Sequence, residues 1–395
     1  MKYNLKKIAN PYSAFSISWF SCLGLYSLGW SNLFPRISLS LFVFLFFFIV
    51  VFAVAGLFFD KVPFTKPELL KIGNKRLLVI NVILYSLNFL YSGIPLVNGT
   101  RDMDFGVPTV IVLTTSLNCF VSIYFFYAFL NTRKKILLLY ILICFGLFIL
   151  SFSRGNIIMS VVSMFFVWIN ITLPQLDLKK IVGIVAGALI MLYVFGLAGN
   201  YRLINEVRKG NPEADPTYNS ELILNLGQAS ESFKDNVVPD EFFWGFLYAT
   251  SPLSNLQYNI NKYPSSLTIS GLGFVFIDEF LFDSLSKRIN DILGRKRAVA
   301  DVIVDDLAVT TTLTGSYNYA GWIGMVFLLF LFLLFPLIYS IVVSKNPVGI
   351  LGISILCTIY FFSIFDNMLT TTGLSFQILY PIIFNFIAKL KIYND

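Results

Sequence analysis

The sequence predicts an all-α, polytopic membrane protein. Apolar runs of about twenty residues recur along the chain, the length a helix needs to cross a bilayer. Only 13% of the residues are charged, where a soluble globular chain carries about 25%; 57% are hydrophobic and mean hydropathy is +0.76. The basic residues gather in alternate connecting segments, as the positive-inside rule expects of a multi-pass chain.

Ten helices are expected, in order. The first, 13–34, follows the basic start "MKYNLKKIANPY". No small-residue cleavage pattern follows that run, so the helix is expected to stay as an anchor. The second, 37–59, contains no charge at all. The third, 77–97, opens after Lys75 and Arg76, and the fourth, 107–130, closes before Arg133, Lys134 and Lys135. The fifth and sixth, 136–152 and 155–173, flank Arg154. The seventh, 181–199, opens after Lys179 and Lys180. A long segment, 200–318, then separates it from 319–343, 348–365 and 373–389. The chain thus divides into seven helices (1–199), one large loop (200–318) and three helices (319–395).

Charge orients these spans. The segments on one side carry 16 basic residues against the acids Asp60, Glu68, Asp177 and Asp395, a balance of +12. The short loops opposite carry Arg36, Arg101 and Arg154 against Asp102, Asp104 and Asp366, a balance of zero. Both termini are therefore expected in the cytoplasm, and the loop 200–318 outside, with a balance of −5,. The net charge of +7 is a topology signal and gives no reason to expect nucleic acid as a partner.

Several chemistries are disfavoured. The chain has no histidine, which removes the commonest general base and metal ligand,. Cys22, Cys119, Cys144 and Cys357 all lie in apolar runs, so neither a disulfide framework nor a thiolate metal site is expected,. No phosphate-cradling glycine loop, zinc motif or calcium loop occurs. Asp102 and Asp104 in "RDMDF" have a spacing that metal-dependent glycosyltransferases use, but read better as a solvated loop paired with Arg101. "NGT" and "NIT" are chance matches to a glycosylation acceptor.

The stretch "SSLTISGLGFVFIDEFLF", 265–282, is apolar enough to raise the question of a further crossing. Asp278, Glu279 and Asp283 interrupt it, and a return crossing through "ADVIVDDLAVTTTL" would bury three aspartates, each costing a few kcal/mol at mid-membrane,. An interfacial or re-entrant amphipathic helix is expected there instead. In "DEFFWGFLYATSPLSNLQYNI", 240–260, aromatic rings stand beside hydroxyl and amide groups. That mixture suits sugar faces and edges, and it equally suits anchoring at headgroup depth.

Arg101, Arg154, Arg202 and Arg208 all fall near outward helix ends. A guanidinium fork matches phosphate oxygens, so these residues suit the diphosphate of a membrane lipid; the alternative is snorkelling to ordinary headgroups. Arg154 has the better claim. Gly155 beside it permits close backbone approach, and the next helix starts there, adding its positive dipole end.

Four pieces of the chain together resemble the Wzy-type O-antigen polymerases, the oligosaccharide repeat-unit polymerases of the bacterial inner membrane. "YSGIPLVNGTRDMDFGVP", 91–108, looks like their early outer loop. "SRGN", 153–156, looks like their arginine-glycine at a helix start. "GNYR" followed by "YATSPLSNL" looks like their large periplasmic loop. "LTGSYNYAGWIGMVFLLFLF", 313–332, with Gly321 and Gly324, looks like their loop-to-helix junction. The related ligases share the arginine-glycine element but carry a histidine in the large loop, which this chain lacks.

The resemblance implies glycosyl transfer at the periplasmic face. A growing glycan on undecaprenyl diphosphate would pass to a hydroxyl of a new repeat unit on the same carrier. No cofactor or metal is implied, because arginines can neutralise the developing diphosphate. A chain-length regulator protein is a further implied partner. By this resemblance Arg154 and Arg202 hold the diphosphate. Arg101, Gly155, Tyr201, Arg208, Tyr248, Ser251 and Asn255 are expected substrate contacts. The base is a carboxylate, a tyrosine or absent; Glu231, Asp278, Glu279, Asp305 and Asp306 are the candidates. Glu279, between Phe276 and Phe280, is expected to be desolvated, or else to pair with Lys287 or Arg288. A lipid-linked oligosaccharide flippase and the sister ligase are the competing readings.

Overall fold

The computed structural model describes residues 3–59, 69–70, 73–98, 105–173, 175–176, 178–210 and 220–386. Among the described residues the α-helices run in this order. The first seven are α1 (Pro11–Tyr26), α2 (Leu39–Phe59), α3 (Asn74–Ser92), α4 (Pro95–Asn98), α5 (Val110–Thr132), α6 (Ile136–Leu150) and α7 (Arg154–Thr172). There follow α8 (Leu178–Gly210), α9 (Glu221–Leu226), α10 (Glu231–Lys234), α11 (Phe242–Lys262), α12 (Ile269–Glu279) and α13 (Asp283–Ile292). The last are α14 (Thr314–Val343), α15 (Gly349–Phe361) and α16 (Thr372–Ser375), with a further helical stretch at 380–386. Two-residue strands, Tyr3–Asn4 and Gln175–Leu176, pair antiparallel and tie the start of the chain to the α7–α8 connection.

Among the described residues, five helical stretches are long and apolar enough to cross a membrane: Leu39–Phe59, Val110–Thr132, Arg154–Thr172, Lys179–Asn205 and Thr314–Val343. Ile136–Leu150 and Gly349–Ile364 are apolar but shorter. α2 shows why such a run is stable only in lipid. Its buried residues, Leu41, Leu45, Ile49, Phe52, Gly56 and Phe59, form one stripe at helical spacing,. Phenylalanine and valine cover the remaining faces and are exposed.

Several boundaries differ from the sequence-based expectation, each for a local reason. The first helix stops at Tyr26, since Gly29 turns the chain at φ +61° and Tyr26 donates to the Pro35 carbonyl. α3 stops at Ser92, before Gly93 at φ +76°. The seventh helix does not end at 199; α8 runs on to Gly210. The tenth is broken into α16, a 3-10 turn (Phe376–Leu379) and 380–386. α14 is interrupted at Ala320 (φ −146°) and Gly321 (φ +58°), a conformation that only glycine adopts cheaply,.

The main apolar core joins α1, α2, α5, α7, α14 and α15, and it includes Leu253 and Leu256 of α11 and Val275 of α12. α11 and α12 are therefore packed into the helical body. α12 spans 11 residues, about 16 Å of rise, too short to cross. It lies along the first part of α14, where Gly271 meets the Tyr319 carbonyl. Its far end reaches Phe335 through Phe280, with ring centroids 5.8 Å apart. A smaller cluster of Ile223, Phe233, Phe243, Phe246 and Leu247 packs on Trp30 and Phe34.

Candidate functional site

Two adjacent carboxylates end α12, and both are buried: Asp278 is 0% and Glu279 3% exposed. A helix C-terminus disfavours negative charge, and burial disfavours it more. Their surroundings supply the compensation. Asp278 accepts from Ser286 Oγ (2.6 Å), Asn290 Nδ2 (2.6 Å), Tyr319 Oη (2.7 Å) and the Arg295 guanidinium. Arg295 is itself capped by the Phe274 ring, 3.7 Å from its centroid, and donates to Asn290 Oδ1 at 2.6 Å. Asp278 is fully enclosed and Arg295 mostly so, and the pair locks the α12–α13 hairpin against α14.

Glu279 is held differently. It accepts from Arg297 at 3.0 Å and from Asn367 Nδ2 at 3.2 Å. Gly315 is a glycine because a Cβ there would collide with this carboxylate. Burial pushes the Glu279 carboxyl above the ordinary carboxylate range, against the pull of Arg297 and Asn367. For Arg297, burial lowers the pKa, but Glu279 and then Asp283 outweigh it and leave it raised. Asn367 also donates to the Glu279 carbonyl at 2.6 Å, and its own Oδ1 is buried with no donor among the described residues.

Arg297 connects these groups to an open cavity of about 660 Å³. Asp283, Lys287 and Arg288 of α13 form one wall; Asp366 and Thr370–Thr372 form another; Thr109 and Val112 close the third. Lys287 pairs with Asp283 at 2.9 Å. Arg288 is exposed and has no ion pair or side-chain hydrogen bond among the described residues. Asp366 is exposed and opens onto the cavity. Desolvation raises its pKa, opposed by the Asn367 N–H and the Arg297 charge.

The cavity borders the turn that follows α15. Ser363, three residues before Asp366, accepts from Trp19 Nε1 at 2.9 Å. α1 continues from Trp19 to Tyr26, about 10 Å further along its axis,. The cleft thus holds three cations, Lys287, Arg288 and Arg297, beside the carboxylates of Asp283 and Asp366, with Glu279 and the orphaned Asn367 Oδ1 just behind Arg297 and Asp366. That combination can bind an anionic polar group and accept a proton beside it.

The sequence-derived residues are scattered by comparison. Arg154 is the first residue of α7, exposed and without a partner among the described residues. It is at the same end as Asp366, since Met159 shares a small void with Met368 and Leu374. It does not line the cavity. A Cβ on Gly155 would meet nothing within 4 Å, so close packing is not what requires that glycine. Tyr201 (63% exposed), Arg202 and Arg208 are on the continued α8, away from any helix end near 199. In "GLAGNYR" the packing residues are Gly199, against Trp244, and Asn200, which accepts from Trp244 Nε1 at 2.7 Å. Tyr248 stacks on Trp244 and meets the edge of Phe195 in the α8–α11 seam.

Ser251 and Asn255 are not available as substrate contacts: both are buried in α11. Asn255 donates to the Leu307 and Val309 carbonyls (2.7 and 2.8 Å) and accepts from Ile303 N (2.9 Å), pinning the 303–309 segment. Glu279 is desolvated as expected, but its partner is Arg297 and neither Lys287 nor Arg288. Glu231 is a surface residue paired with Lys234, and Asp305 and Asp306 are exposed. Arg101, Asp102 and Asp104 lie outside the described residues.

Sequence reasoning missed Asp366, Asn367 and Arg297. The signal that could have found the first two is the polar run "DNMLTTT", 366–372, which interrupts two apolar segments. For Arg297 no local signal existed, since its role comes from the hairpin's return. No protein-family model, curated protein or solved structure matches the chain.

Proposed function

We propose that the chain is a polymerase of O-antigen type in the bacterial inner membrane, with the open cavity beside Arg297 as its periplasm-facing active site. One observation carries this reading. Unpartnered Arg288 and half-exposed Arg297 face the same cleft as the Asp366 carboxylate. In this reading Arg288, Lys287 and Arg297 hold the diphosphate of undecaprenyl-diphosphate-linked glycan. Asp366 sits where an acceptor hydroxyl would enter. The acceptor oxygen bonds to the anomeric carbon and the bond from that carbon to the diphosphate oxygen breaks. The electron pair leaves on the diphosphate, and the hydroxyl proton goes to Asp366. Guanidinium charge offsets the negative charge developing on the leaving group. Glu279 orients Arg297 and does not face the cleft itself. Arg154, at the same end of the bundle, is a second grip on the lipid-linked glycan.

A proton-coupled exporter of lipid-linked oligosaccharide is the second reading, favoured by the raised pKa values of Glu279 and Asp366. Gene deletion separates the two. Loss of a polymerase leaves lipopolysaccharide capped by one repeat unit, whereas loss of an exporter leaves no repeat unit at all. Unaltered chain lengths would exclude the polymerase reading.

A further inference from the structure

A second pair of cavities lies on another side of the molecule, between α1, α8 and α11. The first is a groove of about 510 Å³ whose lining is almost wholly apolar, with Leu25 of α1, Leu189 and Leu192 of α8, and Phe242 and Gly245 of α11 among its walls. Val237 at its rim is 100% exposed. The second is a basin of about 610 Å³ formed by the α1–α2 connection, with Ser27, Asn32, Arg36 and the Tyr26 and Phe34 rings. Phe246 is a wall of both, so the groove and the basin are neighbours across that ring.

The groove exists because α8 stands off from the body. The apolar window of its candidate span is only 6% buried. It is joined to the bundle through α11, where Gly196 meets the Glu241 backbone and Gly199 meets Trp244. Leu189 and Leu192 fall within that span. An aliphatic gap at this depth offers water no hydrogen-bond partners, so hydrocarbon fills it. The neighbouring basin has the opposite character. Arg36 is exposed, with no ion pair or side-chain hydrogen bond among the described residues. A guanidinium beside a hydroxyl and an amide matches phosphate oxygens.

We infer that this groove and basin form a binding site for an anionic phospholipid of the surrounding bilayer, with an acyl chain against Leu189 and Gly245 and the headgroup phosphate on Arg36. The site is separate from the polymerase cavity, and its failure would leave that reading untouched.

The full-length protein in detergent is titrated with phosphatidylglycerol and with phosphatidylcholine of the same chains, and bound lipid is counted by native mass spectrometry. Phosphatidylglycerol is expected to bind more tightly. Arg36→Gln should weaken it about tenfold, the loss of one charge-assisted contact, and weaken phosphatidylcholine less, because its choline cation already offsets the phosphate, so that the preference is lost. Gly245→Leu fills the groove from α11 and should weaken both lipids. Leu189→Trp blocks it from the exposed side of α8 and gives the same test should the first variant misfold. Equal binding of the two lipids, or an Arg36→Gln variant that keeps the preference, would overturn the proposal. So would displacement of phosphatidylglycerol by inorganic phosphate, which would make the basin a phosphate pocket. Displacement by equimolar undecaprenyl diphosphate would make it a substrate site and equally overturn the assignment.

Discussion

Asp278 and Glu279 are neighbours with nearly the same chemistry, and their surroundings give them different work. Asp278 has four donors, Arg295 among them, so it is structural. Glu279 has two side-chain donors and holds an arginine whose other side faces open space. Replacing Arg288 with alanine removes an exposed, unpartnered cation. It should lower polymerisation about 100-fold, the scale of losing one group that stabilises a leaving charge, with insertion and folding unchanged. The lipopolysaccharide ladder checks both the chain lengths and, with a quantitative blot, the amount of protein. Asp366→Asn tests the base. A base works deprotonated, and the Asp366 pKa is raised, so wild-type activity should rise with pH through a limb above the ordinary aspartate range. The asparagine variant should lose that limb; an unaltered profile would remove Asp366 from the reaction. Arg154→Ala should also shorten chains, with Arg154→Lys rescuing poorly because the fork is lost; full-length chains from Arg154→Ala would reduce it to a headgroup anchor.

At the scale of elements, the α14 break places Gly315 beside Glu279, whose partner Arg297 lines the cleft. Helix 314–320 would otherwise run straight into 322–343, and Gly315 would not lie beside Glu279. Gly321 carries the positive φ, and its missing Cβ admits Ser265. Gly324 likewise admits the Ser316 carbonyl across the bend. Gly321→Ala should therefore destabilise the fold by about 1–3 kcal/mol, seen as a lowered thermal midpoint in detergent and faster proteolysis near 295–309. The paired glycines were legible in the sequence as a motif, but their job was not, because a bend is defined by what it touches. The long apolar runs of α2, α5 and α7 were legible because hydrophobicity is a local property. The ends of α1 and α8 were not. The α1 end depends on a turn around Gly29, and the α8 end on continued packing against α9 and α11.

For the whole molecule, composition was enough to read a multi-pass helical membrane protein. The site was less legible. Its residues come from α12, α13, the 293–309 return and the 362–371 break, segments that no sequence period links. The sequence pointed to arginines at outward helix ends; the fold gathers Arg288 and Arg297 of the large loop with Asp366 instead. The charge balance still makes a testable statement about orientation. The native cysteines are all buried, so introduced thiols can be labelled over a quiet background. Lys134→Cys and Lys345→Cys should react only from the cytoplasmic side, and Asp305→Cys only from the periplasmic side. Labelling of all three from one side would refute the two-sided arrangement.

The most direct measurement is chain extension by the purified protein. The full chain, reconstituted in vesicles with undecaprenyl-diphosphate-linked repeat units, is assayed by mass spectrometry of the glycans. Joined repeats of two or more units should appear with release of one undecaprenyl diphosphate per bond formed, and Arg288→Ala should suppress them. Repeat units that stay single in the presence of folded wild-type protein would contradict the assignment of this chain as a polymerase.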